Sequence, residues 1–527
     1  MLKKKVFTRL VALLICFTTL LPFAGCKKDD LKGPKPSPDN LAIEVYGGGY
    51  GTDWLYSVAR EYTNKFGIEV AITVQTGNQG ISNMQTSFNS GIAETDIYFT
   101  EGSIFNQIYE GKKKFNGVEY ETPFVELSDV YNATVDGVLY KDKMVDAYEE
   151  LYNVDGKYYC TGWVDGLLGL VVNMDVWTGA DFTSFPRTTD ELFEYADALK
   201  GKKINNINIA PFIYSLNDEY WTCYSPIFMA QYEGLERMKA IYAGYDSEGN
   251  RYTNAMADFD GYLETLRLYD RLLKKDNGYM HSVSQDVDFT NMQGMFLQGY
   301  AAMCPNGDWI EKEMYTNYQD ANIAFMKTPI ISALAKKLSF ASASDKDAKL
   351  RQLVDYVDAN ASGYANKPTW ATNEDIDTVR GARNIEMTES SRAIGYIPAY
   401  SNQVKAAKDF LVYLASDEAM AIYRQATGGC AMPFNWVNEP TGVQYSSLRQ
   451  SVINVTSKAT MLLPNMKDRI FALGNINYYF FNNENGRYVA KFAALEAKDY
   501  ISPENYYNAE QLFFINNIEA LKKAARV

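Results

Sequence analysis

From Leu41 the chain alternates apolar and polar positions to Tyr46, then runs into Gly47-Gly48-Gly49-Tyr50-Gly51. That pattern predicts a strand followed by a loop whose backbone is tightly packed or lies near a ligand. Thr52 or Asp53 stands where a helix needs its cap. Leu55, Val58, Tyr62 and Phe66 share one helical face, and Gly67 supplies the stop. Ile68, Val70, Ile72 and Val74 alternate as a second strand. Thr76–Gly80 turns into a short helix carrying Ile81, Met84 and Phe88, and Asp96–Phe99 reads as a third strand. This βαβαβ order implies a parallel sheet with right-handed crossovers. In such sheets ligands gather beyond the carboxyl ends of the strands, here at Gly47–Asp53, Thr76–Gln79 and Thr100–Ser103.

A second unit is predicted after Trp163. Leu167–Val172 is an apolar strand, and Thr188-x-x-Glu191 is a capping box ahead of Leu192, Tyr195, Ala196 and Leu199. Residues 215–280 read as mostly helical and rich in aromatic residues, with Tyr214, Tyr220, Trp221 and Tyr224 close together. Met295–Met303 looks like a helix end leading into a strand, and Pro305-Asn306-Gly307-Asp308-Trp309 follows. Residues 332–392 are polar, helical in character and the least patterned, which marks them as an insertion. Val404–Leu414 and Glu504–Ala525 are amphipathic helices.

The N-terminus carries an address. Lys3, Lys4, Lys5 and Arg9 precede an apolar run from Leu10 to Gly25, the layout of an export signal and too short for a comfortable membrane span. Phe23-Ala24-Gly25-Cys26 resembles the lipobox of bacterial lipoproteins, although Phe23 stands where Leu is usual. The resemblance implies cleavage before Cys26 and lipidation of its sulfur. Residues 27–40, with four lysines and Pro34, Pro36 and Pro38, read as an extended tether.

The composition then narrows the chemistry. A chain of 527 residues is long enough for two domains. His281 is the single histidine, which leaves little room for histidine triads or two-imidazole zinc sites. A net charge of −14 argues against a nucleic-acid partner. After Cys26 the remaining cysteines, Cys160, Cys223, Cys304 and Cys430, are widely spaced and form no metal framework. They read as buried free thiols, with room for one bridge. No nucleophile elbow, HExxH or phosphate loop is present. These features imply no cofactor and no catalytic residues.

Several motifs occur in a telling order. After the lipobox and the βαβαβ start come Gly169–Asp175 (GLVVNMD), Pro186-x-Thr188 with Glu191-Leu192, and Gln298–Met303 before Gly307-Asp308-Trp309. Ile397-Pro398-Ala399-Tyr400-Ser401-Asn402 then precedes Ala406-Ala407-x-x-Phe410-Leu411. Together they resemble the extracellular solute-binding proteins of carbohydrate-type ABC transporters, the group that includes maltose-binding protein. The resemblance implies an α/β, two-lobed periplasmic-binding-protein-like fold, each lobe a mainly parallel sheet flanked by helices, with a hinge and an interlobe cleft. It places residues 41–160 and 290–330 in the first lobe, and 161–289 and 331–527 in the second. It implies a non-catalytic protein held to the outer face of the cell membrane only by lipidated Cys26, which delivers a small ligand to an ABC permease.

Sugars ask for aromatic rings against their C–H faces and planar polar side chains for their hydroxyls. The resemblance makes Trp309 the stacking residue, with Asp308 and Asn306 beside it. Trp163 and Asp165 lie near the expected lobe crossing. Tyr50, Gln79 and Glu101 lie on loops at strand ends, and Trp221, Trp370 and Trp436 complete the candidates. Val172 stands before Asn173 where relatives often place an aromatic residue, so one stacking platform is missing. The three first-lobe loop segments hold no Arg or Lys, which favours a neutral, polyhydroxylated ligand over a phosphate or carboxylate, unless the second lobe supplies Arg or Lys. The competing expectations are a secreted carbohydrate-active hydrolase using two carboxylates and a ligand-sensing lipoprotein not coupled to transport.

Overall fold

A computed structural model describes residues 40–92, 94–216, 220–388, 392–463, 467–473 and 488–527. The expected export signal, Cys26 and nearly all of the expected tether lie outside the described residues.

The first sheet grows from the predicted βαβαβ unit. Strand β1 (Asn40–Tyr46) buries Leu41, Ile43 and Val45 and pairs in parallel with β2 (Glu69–Gln75) and β3 (Ile97–Glu101). Helix α1 (Asp53–Phe66) turns Trp54, Leu55, Val58 and Tyr62 inward and ends at Gly67, whose φ of 72° is the left-handed conformation glycine adopts without strain. Phe66, expected on the same face, is half exposed. Helix α2 (Gly77–Ser90) follows β2, and only that edge strand leaves its apolar stripe partly open to solvent. Two short strands extend the sheet antiparallel: β10 (Ala393–Tyr396) beside β3, and β4 (Thr161–Gly162) beyond it.

The second sheet is built around β5 (Leu168–Asn173). It pairs antiparallel with β7 (Ala301–Gly307), β8 (Ile323–Met326) and β9 (Ile385–Met387). Strand β6 (Ala210–Phe212) pairs in parallel with β7, and β11 (Thr460–Leu462) with β9. Every residue of β5 and β7 is buried, because helices and loops cover both faces of this sheet. Both sheets are thus mixed in detail, not mainly parallel. The two-lobed α/β architecture itself is as expected, with one core beside the first sheet and two beside the second.

The division of the chain differs from the expectation for residues 290–330. Strand β7 pairs on both sides within the second sheet, and β8 joins it there, so this segment completes the second lobe. The chain returns to the first lobe later, through β10 and helix α5 (Val404–Leu414), whose Phe410 and Leu411 join the first core. Residues 332–392, expected as an insertion, supply Leu350, Leu353, Val354, Ile376 and Val379 to the second core as well as strand β9. Their second helix carries a full capping box of Thr372 and Asp375. At Thr188 only half of the predicted box forms. The hydroxyl accepts from the Glu191 N–H, while the Glu191 carboxylate takes the backbone and guanidinium of Arg187. Among the described residues Cys160, Cys223, Cys304 and Cys430 form no disulfide; three are buried as expected, and Cys223 is only partly so.

Candidate functional site

The carboxyl ends of β1 and β3 face the end of β7 across a cavity of about 700 Å³. The first lobe contributes Tyr46, the glycine-rich loop 47–51, Gly77, Ile81, Glu101 and Arg392. The second contributes Tyr220, Phe289, Trp309, Lys312 and Glu313. The cavity therefore lies between the lobes, at the strand ends where ligands of such sheets collect.

Trp309 forms its aromatic floor. The residue follows β7 directly, and β7 ends in glycine for a steric reason: a Cβ on Gly307 would lie 1.9 Å from the indole. Across the cleft, a Cβ on Gly49 would lie 2.5 Å from Trp309 Cδ1. The two glycines let backbone from both lobes approach the ring, and the indole keeps part of its surface open. Tyr50 meets it edge-on at 5.8 Å between centroids, and Tyr220 lies at 6.3 Å.

Two carboxylates and two cations share this space. Burial pushes the Glu101 carboxyl up to about 7, with Arg392 opposing the shift and Glu313 reinforcing it. Burial also raises Glu313, against a 2.8 Å hydrogen bond from Gln293. Tyr46 is raised by burial and by both carboxylates. Lys312 donates to Asp53 at 2.9 Å, an ion pair from the second lobe to the first. Each lobe thus brings one carboxyl and one cation to the cavity. The first-lobe loops do lack Arg and Lys, but Arg392 at the start of β10 and Lys312 on helix α4 (Ile310–Met314) bring cations in from elsewhere.

Of the eleven proposed ligand residues, Trp309, Tyr50 and Glu101 line the cavity. Tyr50 lies mostly in the first core, and its hydroxyl donates to Asp308 Oδ1 at 2.7 Å. Asp308 is withdrawn from solvent because Arg449 holds it: Nη1 donates to Oδ2 at 2.5 Å and Nη2 to the backbone oxygen at 2.6 Å. Asn306 is fully buried within β7. Trp163 is also fully buried, stacked on Trp54 at 5.3 Å, so packing and not a ligand occupies its face. Asp165 accepts from the Tyr148 hydroxyl at 3.0 Å beside the lobe crossing, and burial lifts its carboxyl to about 7. Gln79 points to solvent and donates to Asn83. Trp221 lies in the second core, Trp370 packs edge-on against Phe340, and Trp436 lies beneath Arg424.

The residues that sequence reasoning missed have simple explanations. Tyr220 and Trp221 are adjacent on helix α3 (Tyr220–Glu233), and successive helical positions point about 100° apart. Trp221 therefore enters the core while Tyr220 reaches the cleft. Tyr46 ends a strand already recognised, and its place at the carboxyl end was the available signal. Nothing local marks Phe289, Glu313, Arg392 or Arg449, which reach the site only through the tertiary fold.

A family model described as bacterial extracellular solute-binding protein matches residues 48–421. No curated protein matches the chain by sequence. Among solved structures, RafE from Streptococcus pneumoniae is similar at 16% identity, with a TM-score of 0.54 over 94% of this chain and 100% of that one. A substrate-binding protein from Listeria monocytogenes in complex with cycloalternan aligns at 12% identity, with a TM-score of 0.55 over 91% and 99%. The maltose/maltodextrin-binding domain MalE from Bdellovibrio bacteriovorus, bound to maltotriose, aligns at 15% identity, with a TM-score of 0.52 over 91% and 100%.

Proposed function

The chain belongs to the bacterial extracellular solute-binding proteins, and from that premise we propose that it is the receptor of an ABC importer for a neutral sugar or oligosaccharide. The carrying observation is the interlobe cavity floored by Trp309, in which aromatic rings from both lobes stand beside carboxyls and cations. Trp309, Tyr220 and Tyr46 offer apolar faces to pyranose C–H groups. Glu101, Glu313 and Arg392 offer acceptors and donors to hydroxyls. Lys312 is already paired with Asp53, and Arg392, beside the protonatable Glu101, is placed to donate to ligand hydroxyls. The structurally similar proteins bind raffinose, cycloalternan and maltotriose, which supports the same ligand class. Delivery to a permease and anchoring through Cys26 complete the proposal.

A thermal-shift screen with galactose, raffinose, maltotriose and chitin oligosaccharides tests it. At least one should raise the melting temperature, and Trp309→Ala should abolish that rise while the free protein stays folded. An unchanged rise in the variant would remove Trp309 from the site. Incubation with the same glycans should release no new reducing ends; their appearance would favour a hydrolase.

A further inference from the structure

Arg449 lies beyond the region matched by the family model, on helix α6 (Ser447–Thr456). This helix packs on the second sheet through Leu448 and Val455, and its Ser451 hydroxyl accepts from the Phe325 N–H at 2.7 Å. Its arginine is only 1% exposed, as is Asp308. The fork of the guanidinium grips Asp308 twice, at a carboxylate oxygen and at the backbone oxygen, and Nε lies 3.4 Å from Glu311. The other Asp308 oxygen is left to accept the Tyr50 hydroxyl. Tyr50 belongs to the first-lobe core, whereas Asp308 and Arg449 belong to the second. This buried chain of charge-assisted hydrogen bonds therefore crosses the lobe boundary, one residue away from the indole that floors the cleft.

We propose that Arg449 is a positioning residue: by bracing Asp308 it fixes Trp309 and holds Tyr50 across the boundary, so that the ligand-free lobes are latched toward closure. The geometry gives the reason. An aspartate able to swing would offer Tyr50 no fixed acceptor. Without the Tyr50–Asp308 bond that buried link beside Trp309 would be gone, while Lys312 would still reach exposed Asp53 and the Ala426 carbonyl. The claim about closure stands without a ligand, while the claim about positioning Trp309 for binding rests on the function proposed above.

The test reads both separately. Small-angle scattering and amide hydrogen exchange are measured on the ligand-free protein and on Tyr50→Phe, Arg449→Lys and Arg449→Met. Tyr50→Phe keeps the ring and removes only the hydroxyl. We expect it to enlarge the radius of gyration and to speed exchange in the 47–51 loop about tenfold or more, as loss of a hydrogen bond to a charged group implies. Arg449→Met should do the same, Arg449→Lys should recover part of the effect, and the Tyr50→Phe/Arg449→Met pair should open no further than Arg449→Met alone. Scattering and loop exchange unchanged in a folded Tyr50→Phe would overturn the latch, and that variant decides the matter if Arg449→Met does not fold. Titration with maltotriose and raffinose then addresses the site. Weaker binding in Arg449→Met, partly restored by lysine, supports positioning, and equal binding in all variants overturns it. If no sugar of the thermal-shift screen binds the unaltered protein, the sugar reading fails while the scattering result still decides the latch.

Discussion

Tyr50 touches two tryptophans, and the fold uses them in opposite ways. Its ring lies 6.4 Å from Trp163 and 5.8 Å from Trp309, edge-on to both. Trp163 is sealed in the first core against Trp54, and its indole N–H meets no acceptor among the described residues. Trp309 stands between two glycines that leave part of its ring uncovered. The difference teaches that flatness and aromaticity do not make a ligand platform. A platform needs neighbours that withhold their side chains, and Trp309 has them on both sides of the lobe boundary.

The sharpest way to break this comparison is to truncate each ring. Trp163→Ala should lower stability by about 3–5 kcal/mol, the range for deleting a large buried aromatic side chain. Trp309→Ala should cost far less stability, yet weaken binding of any sugar found by thermal shift by about 30-fold or more. Urea melts and calorimetric titration of the two variants check both halves. Equal stability losses would erase the distinction.

A smaller effect concerns the carboxylates around the two rings. Burial raises Glu101 at the cleft and Asp165 at the crossing to about 7, and Glu386 in the second sheet likewise. Each keeps its proton in the folded chain at a pH where the unfolded chain has released it. Their contribution to stability is therefore fully present below the unfolded values of 3.8 and 4.5 and is lost as pH rises toward about 7. Urea midpoints should fall between about pH 5 and about pH 8, and Glu101→Gln should narrow that fall. A midpoint that rises over this interval would contradict the assignment. The smallest effect sharpens the comparison from outside: Trp436→Ala and Trp370→Ala, both remote from the cavity, should leave sugar affinity unchanged in the same titrations.

Much of this was legible in local patterns. The βαβαβ start followed from alternation and helical spacing, and the cleft loops followed from where those strands end. The place of Trp309 at the cavity was legible because Gly-x-Trp after an apolar strand is a short, contiguous signal. Asp308 was misleading for the same reason, since a motif names a residue without showing which partner has claimed it. The origin of β10 and the membership of β7 were not legible, because strand pairing is set by contacts between residues far apart in the chain.

The sequence by itself determined the opening βαβαβ elements and the strand ends that border the cavity, because hydrophobic period and turn chemistry act over a few residues. Only the tertiary structure decided which polar groups face the cavity. Arg392 arrives there from one segment and Lys312 and Glu313 from another, and Arg449 reaches Asp308 across 141 positions of chain. Burial, charge balance and the contest between packing and exposure for each tryptophan are properties of the assembled lobes. They depend on which surfaces meet, and no short stretch of residues carries that information.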